Sequence, residues 1–363
     1  MTDTANVASI DPAKAEAFGG KMLGFLNAAA AAGMISIGHR VGLFDAMAQL
    51  QSVATSEDVA AAAGLNERYV REWLGAMTTA GVVEYDSGAG GYRLPPEHAA
   101  LTTRSAGPNN FAAFMQLFPI LGAVEDEIVD KFHNGGGVPY SSYPRFHEVM
   151  AEFSGAIFDT TLVDAVLPMV PGVVDLLHAG VDVADVGTGR GHAINVMAKA
   201  FAKSRFVGID FNDEPLEIGR AEAIAMDLTN ASFVARDASK LDGSQMFDFI
   251  TTFDAVHDQA DPYGMVAGIY KSLRPGGYWL CVDVQCSTHI GENLNHPMGT
   301  FIYSVSCQHC MTVSLAYDGV GLGAAWGVQK AREVFRDAGF SEVQVRTVPG
   351  DLVNNYYICH KSA

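Results

Sequence analysis

The chain has 363 residues, 49% hydrophobic and 18% charged, which suits about two packed domains and excludes a disordered polymer. Lys and Arg number 23 against 41 Asp and Glu, for a formal net charge of −18. That field repels phosphate backbones and anionic membrane surfaces, so nucleic acid is not expected as a main partner.

Five Cys in a chain of this length do not read as a disulfide framework. The N-terminal stretch lacks a basic segment leading into an apolar core, and no apolar run reaches the ~18 residues of a membrane span. A cytoplasmic protein without membrane association is expected. Residues 1–17 read as a polar leader, and the Ala run at 28–32 as part of a tightly packed helix.

From Phe18 to about Leu101 the pattern is of short helices. Val41, Phe44 and Met47 fall at helical spacing. Thr55 or Ser56 is an N-cap for a helix that stops at Gly64, and Asn66 caps the next, which carries Val70, Leu74 and Met77 on one stripe. "VVEYDSGAGGYRL" then reads as a hairpin around a Gly-rich turn. Helix, turn, helix, hairpin is the winged-helix order. The second helix offers Arg68 and Arg71 but also Glu67 and Glu72, so a dimerisation role is preferred to DNA binding.

Three segments are therefore expected: a mainly α-helical winged-helix dimerisation domain over 1–104, a helical linker or lid over the active site at 105–172, and an α/β domain over 173–363. In the middle segment Tyr140, Tyr143, Arg145 and His147 gather after a Gly-rich loop and suit a lid that touches substrate, with Arg145 able to clamp a carboxylate. From Val173 the rhythm alternates strand and helix. "DVADVG", "RFVGID", "ASFVARD", "FDFITTF" and "GYWLCVDV" are strands separated by helices at 192–203, 214–227 and 262–273, which predicts a mostly parallel, Rossmann-like sheet with helices on both faces.

"ADVGTGRGHA" is the stretch that carries chemistry. Gly187, Gly189 and Gly191 allow a sharp turn and close approach of a ligand, and the helix starting near His192 aims free N–H groups at it. About twenty residues on, Asp210 ends the next strand, placed to hold ribose hydroxyls. A nucleotide-type cofactor follows, either a dinucleotide or S-adenosylmethionine. The spacing is G-x-G-x-G, not the dinucleotide G-x-G-x-x-G.

That variant, with "VARDASKL" after the third strand and "LRPGGYWL" before the fifth, resembles the class I S-adenosylmethionine-dependent methyltransferases over roughly 180–285. The resemblance implies S-adenosylmethionine as cofactor. Asp185, Gly187 and Gly189 would border its methionine part, with Thr188, where many relatives have Cys, contributing backbone. Asp210 would hold the ribose, with Phe211 beside the adenine. Asp237 would meet the adenine amino group, Ala238 would give a backbone contact, and Phe253 would lie near the sulfonium.

The whole chain looks like proteins that join a winged helix to such a domain, and its layout resembles small-molecule O-methyltransferases with a His-Asp pair just after the fourth strand. His257 and Asp258 match that pair, although Gln259 stands where an aromatic residue often follows. A hydroxyl acceptor loses a proton as it attacks, and a His near its ordinary pKa of ~6.5 is suited to take it. Asp254 or Asp258 would orient the ring. A thiol or thioether acceptor, such as a thioether acid on the way to dimethylsulfoniopropionate, is the alternative, with His257 positioning substrate or water. A cofactor-binding regulator without catalysis is a third reading.

Cys307, His309 and Cys310 lack the second ligand pair of a structural zinc site, so His309 and Cys310 are expected to line the acceptor pocket or its wall. Asp254, Asp258 and Asp283 could gather Mg²⁺, but no metal centre is expected. Trp326 is expected as a packing anchor. The small-molecule methyltransferase so described is expected to be a homodimer through its N-terminal domain.

Overall fold

Asp11 opens the first helix, α1 (Pro12–Arg40), by accepting hydrogen bonds from the amides of Ala13 and Lys14, with Pro12 at the first helical position. The computed structural model describes residues 10–50, 52–348 and 351–362, so most of the expected polar leader lies outside the described residues and its end is helical. The Ala run is not packed: Ala28–Ala30 are exposed. Phe18, Met22, Phe25 and Leu26 line one stripe of α1 at 61%, 50%, 55% and 68% exposure. At 29 residues and a mean hydropathy of 1.3, α1 is long and apolar enough to cross a bilayer by length and composition. The expectation of no such stretch fails because Gly and Ala break up the large apolar residues while keeping the average high.

The chain divides into two units, Met1–Pro119 and Ile120–Ala363. In the first, α2 (Leu43–Gln49), α3 (Ser56–Ala63) and α4 (Glu67–Thr79) follow α1. Thr55 and Asp58 form a reciprocal capping box, Gly64 ends α3 in the left-handed region, and Asn66 caps α4. Phe44, Met47, Val70, Trp73, Leu74 and Met77 close the core, while Val41, at the end of α1, stays 42% exposed. Gly38 is required where Trp73 crosses, since a Cβ there would sit 2.5 Å from the indole. Strands β1 (Glu84–Asp86) and β2 (Gly91–Arg93) make the wing, Tyr85 opposite Tyr92. Arg68 and Arg71 pair with Glu72 and Glu67 of their own helix at 2.5 and 2.7 Å.

The second unit is built on seven strands: β3 (Asp182–Val186), β4 (Arg205–Asp210), β5 (Ala231–Ala235), β6 (Phe247–Phe253), β7 (Leu273–Val284), β8 (Glu342–Arg346) and β9 (Asn354–His360). Their order is β5-β4-β3-β6-β7-β9-β8, parallel except that β9 runs antiparallel between β7 and β8. The five expected strands and the helices His192–Ala200, Asp213–Ala225 and Pro262–Ser272 are present. Sequence reading missed β8 and β9. Successive strands are added to one side of β3 and then, from β6, to the other, so the carboxyl ends of β3 and β6 flank the switch point where such sheets bind ligands.

Phe335 joins both ends of one core layer, fully buried with its ring edge-on to Trp279 (4.7 Å) and near Trp326 (5.9 Å) and Tyr357 (5.4 Å). Phe335→Ala should therefore cost about 3–5 kcal/mol of stability, read as a lowered urea midpoint for the second unit.

Candidate active site

The Gly-rich turn lies between the end of β3 and the helix His192–Ala200. Gly187, Gly189 and Gly191 all have left-handed φ, at 76°, 55° and 72°. A Cβ on Gly187 would meet the Ala255 methyl at 2.4 Å, and one on Gly191 the Phe233 ring at 2.2 Å. A Cβ on Gly189 would meet nothing within 4 Å, so the turn leaves open space there.

Two carboxylates hold the turn. Asp185, buried, accepts from the hydroxyls of Thr188 (2.6 Å) and Thr251 (2.7 Å), and burial pushes it up to about 6. Asp210 reaches across from β4 to accept the Gly189 amide at 2.8 Å and the Asn212 amide at 3.1 Å; burial raises it too. Phe211 follows, 53% exposed. Ala238 is buried beside Asp237, whose carboxylate is drawn to Lys240 (2.8 Å) and Ser239. Phe253 packs edge-on against Phe158 at 4.8 Å. This set fits an adenosyl cofactor: an open glycine turn, a helix N-terminus behind it, and a part-engaged Asp on the neighbouring strand.

At the carboxyl end of β6 the chain places His257, 4% exposed. Its Nδ1 lies 2.8 Å from Oδ1 of Asp283, a residue of β7 with no exposed surface. The same oxygen accepts from Trp326 Nε1 (3.0 Å) and the Val284 amide (2.8 Å). Trp326 is thus an anchor that also reaches the site. Burial opposes the charged imidazolium, but the Asp283 carboxylate, with the Cys310 thiol adding to it, outweighs burial and holds His257 well above its ordinary value. The carboxylate that orients the ring is Asp283, not Asp254 or Asp258 as expected. Asp258 instead accepts the Tyr140 hydroxyl. Asp254, His257 and Asp283 bring one oxygen or nitrogen each within 4.8 Å of one another.

The expected lid residues meet here in part. Tyr140 stacks on His147 at 5.4 Å and stands edge-on to His309 at 5.2 Å, with Phe211 6.2 Å away. Tyr143 is 4.8 Å from the His309 ring and donates to the Gln308 carbonyl at 2.5 Å. His309 lies on Phe146 at 3.8 Å, its Nε2 without a hydrogen-bond partner among the described residues. Burial, then the charges of His257 and His147, push it down to about 3, so it is a neutral imidazole. Arg145 does not join this cluster; its guanidinium is held by Glu148, at 2.7 and 3.2 Å.

Sequence reading missed Phe146 and the pairing of Asp283 with His257, having weighed Asp283 only as a Mg²⁺ ligand; Cys310, expected with His309, stands beside His257. Asp283 carried a usable signal: an acid inside "LCVDV", an otherwise apolar central strand, needs a buried partner. Phe146 carried none, because only the tertiary fold brings it to His309.

A doubly wound sheet with this turn defines a nucleotide-cofactor enzyme fold. Residues 177–339 match the family described as a methyltransferase domain, and residues 29–104 the Rv2258c-like winged HTH domain. Demethylmenaquinone methyltransferase of Listeria welshimeri is 25% identical over 180 residues, 46% of this chain and 73% of the relative. Human N-acetylserotonin methyltransferase, solved with S-adenosylmethionine, has a TM-score of 0.68 at 16% identity, covering 98% of this chain and 99% of that one. The mitomycin 7-O-methyltransferase MmcR has a TM-score of 0.71 at 15% identity, covering 96% and 100%. The chain thus joins a winged helix-turn-helix domain to a methyltransferase domain, and S-adenosylmethionine is its cofactor. It is an enzyme.

Replacing Gly187 forces a Cβ into Ala255 at a left-handed backbone position. Gly187→Ala should weaken S-adenosylhomocysteine binding by about tenfold or more, measured by titration calorimetry, with the sheet intact by circular dichroism.

Proposed function

We propose that this enzyme methylates a hydroxyl oxygen of a small-molecule acceptor, with His257 as general base. The buried His257–Asp283 pair at the carboxyl end of β6 and β7, beside the cofactor turn, carries this reading. When bound, S-adenosylmethionine supplies a methyl group on a sulfonium, held by Asp185, Gly187, Thr188, Gly189, Asp210, Phe211, Asp237, Ala238 and Phe253. In-line transfer demands alignment and a free lone pair on the acceptor. With Asp283 engaging Nδ1, the Nε2 of neutral His257 is left to take the acceptor proton, and Asp283 stabilises the imidazolium that results. Tyr140, Tyr143, His147 and His309 enclose the acceptor, and Asp258 acts by holding Tyr140. Arg145, tied to Glu148, serves as a carboxylate clamp only if that pair opens.

One observation favours a second reading. Asp283 stabilises the charged form of His257, and an imidazolium takes no proton. A thioether acceptor has none to give, and there the imidazolium would position substrate or water.

The two readings part in their pH dependence. For a hydroxyl acceptor, only neutral His257 works. Its pKa is raised, so kcat/KM should climb by about tenfold per pH unit through neutrality and level off only above that pKa. His257→Ala should then lose about 10²–10⁴-fold. With a thioether acid, the profile should be flat over the same range and the loss small. S-adenosylhomocysteine release across phenols, carboxylates, thiols and thioether acids decides; no release with any acceptor overturns both.

We also propose a cytoplasmic homodimer joined through the N-terminal unit. Residues 10–30 of α1 are exposed on every side, and helices owe most of their stability to a packed apolar face. The stripe of Phe18, Met22, Phe25 and Leu26 is such a face, and a second copy offers an identical one. Analytical ultracentrifugation should show a dimer that Phe25→Glu with Leu26→Glu converts to monomer. A wild-type monomer, or retention of α1 by anionic or neutral vesicles in place of self-association, would overturn it.

A further inference from the structure

We propose that Asp254 is a positioning residue for the His257–Asp283 pair, its carboxyl held close enough for its charge to act on both. The inference rests on the reading of His257 as the working group of the site.

The geometry is unusual in three respects. Asp254, directly after β6, has a left-handed φ of 49°, a conformation that costs a non-glycine residue and persists only where surroundings enforce it. Its amide donates to the Val282 carbonyl at 2.9 Å, which fixes it against β7 one residue from Asp283. Its Oδ1 is enclosed without a hydrogen-bond partner among the described residues, and so is Oδ2 of Asp283. The Asp283 carboxylate is thus lopsided, with three donors on Oδ1 and none on Oδ2.

Two orphaned carboxylate oxygens enclosed in one site are costly if both groups are ionised. The two carboxyls and the His257 ring come within 4.8 Å of one another. A proton on Asp254 removes one of the two negative charges and leaves the other matched by the imidazolium.

The titratable groups facing Asp254 are Asp283 and Cys281 of β7, His257 and Asp258 of its own loop, Asp351, and the Tyr356 hydroxyl of β9. Burial first, then the charge of Asp283, push its carboxyl up to about 7. Below that pH the pair carries one negative charge. Above it a second appears, binds the imidazolium more tightly, and delays the loss of the His257 proton. Asp254 would thereby set the pH at which His257 becomes neutral.

The test is a pH titration of ring-¹⁵N histidine by NMR on the full-length protein with S-adenosylhomocysteine, wild type against Asp254→Asn, which is isosteric and always neutral. His257 should deprotonate about one pH unit lower in the variant. Superimposable curves would overturn the proposal. Carbon-13 aspartate carboxyl spectra of the wild type should show, besides Asp185, a group titrating near neutrality, and that second signal should be lost in Asp254→Asn while the Asp185 signal stays. Absence of the second signal from the wild type would overturn the proposal even if the variant fails to fold. Stoichiometric divalent metal in the purified protein by mass spectrometry would also overturn it. None of these readouts needs an acceptor, so failure to find one tells against the methyl-transfer reading alone. If an acceptor is found, His257→Ala tests the base apart from Asp254.

Discussion

One carboxylate oxygen organises the catalytic end of the sheet. Oδ1 of Asp283 receives His257 from the loop after β6, Trp326 from the segment before the helix Gly327–Asp337, and the amide of Val284 on its own strand. Three separate stretches of chain are thereby tied to one atom. A carboxylate with no exposed surface is costly to bury, and only charge-assisted partners make it tolerable. The arrangement is thus self-enforcing: His257 keeps its orientation because Asp283 holds its Nδ1, and the Asp283 oxygen is satisfied because His257 and Trp326 are there. Truncating any member leaves the others in an environment built for a partner.

The sheet uses its other buried acids differently. Asp185 faces inward and braces the glycine turn through two threonine hydroxyls, whereas Asp210 meets the same turn from the neighbouring strand by a backbone amide. Asp185, Asp210, Asp254 and Asp258 are all displaced upward by burial, so the site resists carrying its full negative charge. A cationic ligand relieves that resistance, and a neutral one does not.

The sequence made the scaffold legible because the signals there are local. Glycine spacing, an acid at the end of the second strand and helix caps at Thr55 and Asn66 each act within a few residues, and the structure realises them. Strands β8 and β9 were missed: β8 alternates exposed and half-buried positions in a short, charged stretch, and β9 opens on Asn354 and Asn355, a residue type that strands usually avoid. The site was half legible. His257 stood out by its place after a strand, but its partner lay 26 residues away on β7, and nothing local links the two. Proximity to Asp258 in sequence suggested the wrong carboxylate; the loop turns Asp258 toward Tyr140 instead. Arg145 pairs with Glu148, three residues on, a local contact that its place in the sequence did not announce.

The walls of the site explain why irregular helix is retained there. Phe158–Val166 and Ser306–Cys310 are both π-helical, a rare form that wastes hydrogen-bond geometry and turns up at functional positions. The first presents Phe158 to Phe253, and the second carries His309 and Cys310 to the side of the pocket where His257 stands. A regular helix over 306–310 would rotate each following side chain by a large part of a turn, since one residue is worth about 100°. His309 would then leave the Phe146 ring, against which burial keeps it neutral. The wide turn is the means by which two adjacent residues serve one site, His309 as a neutral hydrogen-bonding group and Cys310 as a neighbour of His257. Its cost in helix stability is offset by the aromatic contacts that Tyr140, Tyr143 and Phe146 make with the same histidine.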